Sequence, residues 1–174
     1  ATVGGGQSGA VPEAGYLHHY ELVTVRDEQI AIASYPVGAV MDVREITGLI
    51  SDETRTVAKM EPAISGPVQF SADRSVQDTV DVRISNPVSQ NIDVSITFGS
   101  DDSRWRFVPD HGHFTLAPGE SKTMTATIAR GPGVIDSTYR APEVHIGIDY
   151  LTLGRRYSIP KKVIVLDVQP PSSP

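Results

Sequence analysis

The sequence predicts an all-β protein: an antiparallel β-sandwich preceded by a β-hairpin segment. Three observations predict it. Apolar and polar residues alternate along several stretches of the second half, the period-two signature of strands with one buried and one wet face. Clusters of Gly, Pro, Asn and Asp separate those stretches at roughly ten-residue intervals. No helical period occurs after residue 66.

Residues 1–15 have loop composition, with Gly4, Gly5, Gly6 and Gly9 close together. Residues 16–26 read as a first strand, Asp27-Glu28 as a turn and residues 29–35 as the return strand of a hairpin. Pro36, Val37 and Gly38 end it, and residues 39–43 read as a further short extended piece. Residues 44–66 predict a short helix over 52–60 with Ser51 as its cap; Thr54 stands where a capping box has Glu or Gln. Charge density and the flanking Gly48, Pro62 and Gly66 mark the same stretch as a linker, with a boundary near residue 62.

Residues 67–169 carry the alternation. Val80, Val82 and Ile84 form one set, and Ile92, Val94, Ile96 and Phe98 a second. Met124, Ala126 and Ile128 form a third, and Val144, Ile146, Ile148 and Tyr150 a fourth. Turns fall at Asn86-Pro87, at residues 99–102, at Pro118-Gly119-Glu120 and at Gly131-Pro132-Gly133. Further strands are expected near 68–71 and 157–168. This rhythm predicts a sandwich of immunoglobulin-like type over residues 67–169, followed by a disordered Pro/Ser tail at 170–174.

Composition bounds the chemistry. The chain has 174 residues, enough to bury a core unaided. Its net charge of −6 and pI near 5.3 argue against nucleic acid as a partner. The absence of cysteine excludes disulfides, thiolate metal sites and a cysteine nucleophile. No apolar run approaches the roughly 18 residues that a membrane span needs.

Two resemblances follow from particular residues. The segments ISNP (84–87), RWRFVP (104–109) and FTLAPGESKTMTATI (114–128) resemble non-catalytic Ig-like domains found beside enzymes in bacterial exported proteins. That likeness implies a sandwich in which Phe114 and Leu116 point inward opposite Trp105 and Phe107. The Gly-rich stretch 3–10 and the segment GYLHHYELVTVRDEQIAIASYPVG (15–38) resemble the C-terminal end of a calcineurin-like metallophosphoesterase domain. Gly4–Gly6, His18, His19, Tyr20, Leu22, Val23, Thr24 and Val25 carry the match. The family's metal-binding motifs do not occur here in order. The likeness therefore implies the downstream remainder of a longer enzyme, with a divalent metal pair and the catalytic part upstream of Ala1.

Other constellations have bland readings. Asp110, His111 and His113 bring metal-capable donors together, but at a position expected to be a surface turn. His18 and Tyr20 share one strand face and His19 takes the other; packing within the hairpin is the expectation. Gly4, Gly6 and Gly9 match a dinucleotide fingerprint only formally, since no strand precedes and no helix follows. The stretch 6–10 fails the Gly-x-Ser-x-Gly elbow at Ala10. Asp101 and Asp102, with Asp73 or Asp136, read as solvated turn aspartates rather than a calcium site. Arg155, Arg156, Lys161 and Lys162 read as guards of an edge strand.

No catalytic, cofactor-binding or metal-ligating residue is assigned, and no cofactor is expected in this chain. The expected function is a non-catalytic accessory portion of a metallophosphoesterase, periplasmic or extracellular. Its expected partners are the upstream catalytic domain and a second copy joined through exposed strand edges, with no nucleic acid and no membrane span. The alternative is a stand-alone Ig-like binding or adhesion module.

Overall fold

Alternating β-branched residues meet turn chemistry at nearly every strand end. In the computed structural model, the described residues are 19–27, 29–36, 48–152 and 154–170; for 19–20 and 33–36 only the backbone is described. Strands β1 (His19–Arg26) and β2 (Gln29–Pro36) pair antiparallel as a two-stranded sheet of their own. Asp27 turns the chain with φ of 50°, a conformation that Asp tolerates better than most residues.

Helix α1 (Gly48–Lys59) follows. Then come β3 (Ala63–Ile64), β4 (Val68–Gln69), β5 (Val76–Ser85), β6 (Ile92–Gly99) and β7 (Trp105–Val108). The remaining strands are β8 (His111–Leu116), β9 (Ser121–Arg130), β10 (Glu143–Thr152), β11 (Arg155–Val165) and β12 (Val168–Gln169). One sheet has the order β11-β10-β6-β8 and the other β3-β5-β9-β7, all antiparallel. β12 and β4 add a short parallel pair. The protein is an all-β sandwich.

The alternation seen in the sequence is the core. Val80, Val82 and Ile84 from β5 and Ala126 and Ile128 from β9 face Ile92, Val94 and Ile96 from β6 and Val144, Ile146 and Tyr150 from β10; all are buried. Stacking of Phe98 on Phe107 at 6.2 Å, and the approach of the Met124 thioether to Gly112, lay β6 and β8 over β7 and β9. The edge strands β7 and β8 thus share one side of the sandwich, joined by Pro109 and Asp110. Leu116 is fully buried and Trp105 nearly so, while Phe107 and Phe114 are half-buried.

The corners carry specific polar bonds. Asn86 is buried; its amide donates to the Gln90 and Leu116 carbonyls at 2.8 and 3.0 Å, and its Oδ1 accepts from Val88 N at 3.1 Å. The Glu120 carboxylate accepts from Ala117 N at 2.9 Å, closing the turn in which Gly119 adopts φ of 74°.

Two local expectations are corrected. The helix begins three residues before Ser51, which lies inside it and does not cap it. Thr54 also turns inward, donating from Oγ1 to the Ile50 carbonyl at 2.8 Å. The expected short helix is present and packs on the sandwich. Ile50, Thr54 and Val57, at spacings of four and three, bury one helical face against β10 and β11. Tyr150 Oη donates to Glu53 Oε2 at 2.5 Å and Ser89 N to Glu53 Oε1 at 2.8 Å. Beyond the helix, Lys162 Nζ donates to the Met60 carbonyl and the Glu61 carboxylate, and β3 has already joined the sheet before residue 67. The second correction concerns His111, Gly112 and His113. They form strand β8 rather than a turn, paired with Thr97, Ile96 and Ser95.

Candidate functional site

The hairpin is built from residues that suit a buried strand, yet its described side chains are not buried. Antiparallel register sets Val23 opposite Ile32 and Val25 opposite Ile30, so all four project from one face. Their exposures run from 46% to 70%, and Leu22 on the other face is likewise exposed. A two-stranded hairpin is marginal in water by itself. An uncovered stripe of four β-branched residues is the kind of patch that a partner surface covers. His19 and Tyr20 lie in β1, opposite Pro36 and Tyr35. His18 and the glycines at 4, 5, 6 and 9 lie outside the described residues, as do the pieces read at 39–43 and 171–174.

A second surface is the outer face of the β11-β10-β6-β8 sheet. Register places His111, Thr97, His145 and Val163 in one row across it, and His113, Ser95 and Gly147 in the next. Ser95, Thr97, Ser100, Glu143, His145 and Lys161 line a shallow polar groove around Gly147. Ser95 Oγ donates to the Gly147 carbonyl at 3.3 Å and sits 2.6 Å from where a Cβ on residue 147 would stand. The imidazoles engage neighbouring carboxylates: His111 Nδ1 lies 2.7 Å from Asp110, and His145 Nε2 3.1 Å from Glu143. The His111 hydrogen bond holds the Asp110 carboxyl below the usual carboxylate range. Among the described residues, no group of three or more His, Asp or Glu is placed to hold a metal ion.

The third cluster is buried. Asp102 accepts from Arg104 Nε and Nη2 at 2.7 and 2.8 Å and lies 3.6 Å from Arg130 Nε. Arg130 is almost fully buried, its guanidinium 5.8 and 5.6 Å from the Phe70 and Tyr139 ring centres. Nη1 donates to the Arg74 carbonyl at 3.0 Å, while Nε and Nη2 have no hydrogen-bond partner among the described residues. The Arg104 hydrogen bonds, offset in part by burial, hold the Asp102 carboxyl below its ordinary range. This corrects the reading of Asp102 as a solvated turn residue. Asp136 accepts from Thr138 N and Oγ1 and lies 3.8 Å from Arg104, and Asp73 accepts from Ser75 N and Oγ. Asp102, Asp136 and Asp73 therefore serve arginines and turns. No single residue in the sequence flags Arg130 as a core side chain, because the pattern only marks it as the end of a Thr-rich strand.

The basic residues of β11 lie on an edge strand, as expected. Arg156 bridges Asp93 and Asp149 at 2.7 and 2.8 Å. Among the described residues, no helix is long and apolar enough to cross a membrane. No protein-family model matches the chain, and no curated protein matches it.

Proposed function

We propose that the chain is a non-catalytic accessory portion of a metallophosphoesterase, in which the sandwich positions the catalytic part, contacts its substrate or mediates association. The observation that supports this reading most is the hairpin. Its apolar face is formed by Val23, Val25, Ile30 and Ile32, lies uncovered, and sits in the segment whose sequence resembles the end of a metallophosphoesterase domain. Such a face suits two strands that complete a sheet or core supplied by other residues. The sandwich needs no such help, because its two sheets close on each other.

The test is mass spectrometry of the native gene product, with a phosphodiester hydrolysis assay on the intact protein and on this chain. The expected result is a product several hundred residues longer than this chain, on the size scale of one or two further domains, that hydrolyses the ester with added divalent metal. The 174-residue chain is expected to be inactive alone. A mature protein beginning at Ala1, or hydrolysis by the chain itself, overturns the reading. A second measurement separates the stand-alone module. Deletion of residues 1–47 is expected to move the melting temperature of the remainder by no more than about 3 °C. A fall well beyond that makes the hairpin part of the sandwich's own stability and favours the binding-module alternative.

A further inference from the structure

The sandwich is thinly closed along the side where β7 and β8 lie. β7 pairs with β9 over residues 127–130, so no strand among the described residues covers residues 121–126 of β9 on that side. β8 faces that stretch from the other sheet, paired with β6 and open along its outer edge. Side chains of β9 reach across to hold it. Lys122 Nζ lies 4.9 Å over the Phe114 ring, and the Met124 thioether rests on Gly112.

Gly112 and the sulfur fit each other closely. A Cβ at residue 112 would lie 2.6 Å from Met124 Sδ and 3.2 Å from Cε, so the thioether takes the volume of the missing side chain. In the register of β5 and β9, Val82 stands opposite Met124, with Val80 and Ala126 next on the same buried face. None of these side chains carries a hydrogen-bond donor. Met124 is itself buried, yet at 9% it is the most exposed of the apolar core side chains among the described residues.

We propose that Met124 is a modification site, an oxidation-sensitive latch between β9 and β8 whose reagent is hydrogen peroxide. The sulfur lone pair attacks one peroxide oxygen and the O–O bond breaks, leaving a hydroxysulfonium and a hydroxide. The hydroxide takes the proton from that S–OH and departs as water, and the sulfoxide remains. Sulfur loses two electrons and the peroxide gains them. A sulfoxide is polar where the thioether was apolar. Its oxygen finds no room on the Gly112 side, where a Cβ already does not fit. On the side of Val82 and Ala126 it becomes a buried acceptor without a donor, which is costly. The oxidised side chain therefore leaves its seat on Gly112, and β8 loses that hold on β9. The latch lies within the sandwich and needs neither the hairpin nor an upstream domain, so it stands apart from the function proposed above.

The chain has three methionines, Met41, Met60 and Met124, and no cysteine, so the sulfur chemistry is separable on the full chain. The unsubstituted chain, the double variant Met41→Leu with Met60→Leu, and Met124→Leu are each treated with hydrogen peroxide at neutral pH. Peptide mass spectrometry reads the sulfoxide, hydrogen exchange reads the β8 amides, and thermal unfolding reads stability. Met124 is expected to be converted in the folded chain. Conversion should lower the melting temperature by about 5 °C or more and speed exchange over residues 111–116 about tenfold or more. The double variant should respond as the unsubstituted chain does, and Met124→Leu should show neither change. Methionine sulfoxide reductases should reverse both. Circular dichroism before treatment checks that each variant is folded, and the unsubstituted chain gives its reading with no substitution at all. Three results overturn the proposal. Met124 stays reduced in the folded chain under exposure that converts it in urea; or its conversion leaves the melting temperature and the 111–116 amides unchanged; or a folded Met124→Leu loses stability to peroxide as the unsubstituted chain does.

Discussion

Replacing Asp102 by Ala is expected to destabilise the sandwich by about 3–5 kcal/mol, a large part of the total for a domain of this size. Among the described residues, Asp102 is the one carboxylate paired with the buried Arg130 guanidinium, and its own side chain is almost fully buried. Without it, the Arg130 guanidinium stays in a buried site where two of its nitrogens have no hydrogen-bond partner among the described residues. The Phe70 and Tyr139 rings soften that environment but do not neutralise it. Chemical denaturation measures the loss, and a loss below about 1 kcal/mol would sink the argument. Asp136→Ala serves as the comparison. Asp136 touches Arg104 only at 3.8 Å and is exposed, so its removal should shift the transition far less.

The same cluster predicts a pH dependence whose sign follows from the depressed Asp102 carboxyl. Its contribution is complete above the ordinary aspartate value of about 3.9 and drains away as the pH falls through the lower folded value. The stability gap between the parent chain and Asp102→Ala should therefore be widest near neutrality and close in acid. A gap that widens in acid contradicts the assignment. Glu53 works in the same direction. Burial raises its carboxyl, but the hydrogen bonds from Tyr150 and Ser89 outweigh that and leave it lowered. Burial, and then the Glu53 bond, raise the Tyr150 hydroxyl in turn.

Val57→Asp is expected to cost on the order of 3 kcal/mol or more, because it places a carboxylate at a fully buried position with no partner. Leu49→Asp, on the exposed face of the same helix, should stay within about 0.5 kcal/mol. The contrast measures whether α1 is part of the sandwich's cooperative unit. If both variants melt alike, the helix contributes no stability and the stretch behaves as a connector. If only Val57→Asp unfolds β10 and β11 with it, the domain begins at the helix.

The hairpin and the main strands of the sandwich were legible because a strand with one wet face writes its geometry into every second residue. The Asn86 and Gly119 turns were legible for a similar local reason: Gly119 supplies a left-handed φ, and Asn86 a side-chain amide that bonds the backbone of its corner. Helix α1 was only half legible. Its buried face is three residues spread over eight positions, one of them the polar Thr54, and Gly48 and Pro62 bracket it as they would a linker. The His111–His113 stretch was misplaced because Gly112 between two histidines has turn composition. Its strand conformation depends on pairing with β6 and on the Met124 thioether filling the space beside the glycine.

By itself, then, the sequence determined the all-β class, the main strands and the apolar residues of their inner faces, since these follow from periodicity and local turn chemistry. Only the tertiary structure decided which strands are edges, that Arg130 lies inside against Asp102, that α1 docks on β10 and β11, and that the Val23, Val25, Ile30 and Ile32 face stands uncovered. Each of these depends on contacts between residues far apart in the chain. Period and spacing describe a residue's neighbours along the backbone, whereas burial and pairing describe its neighbours across space.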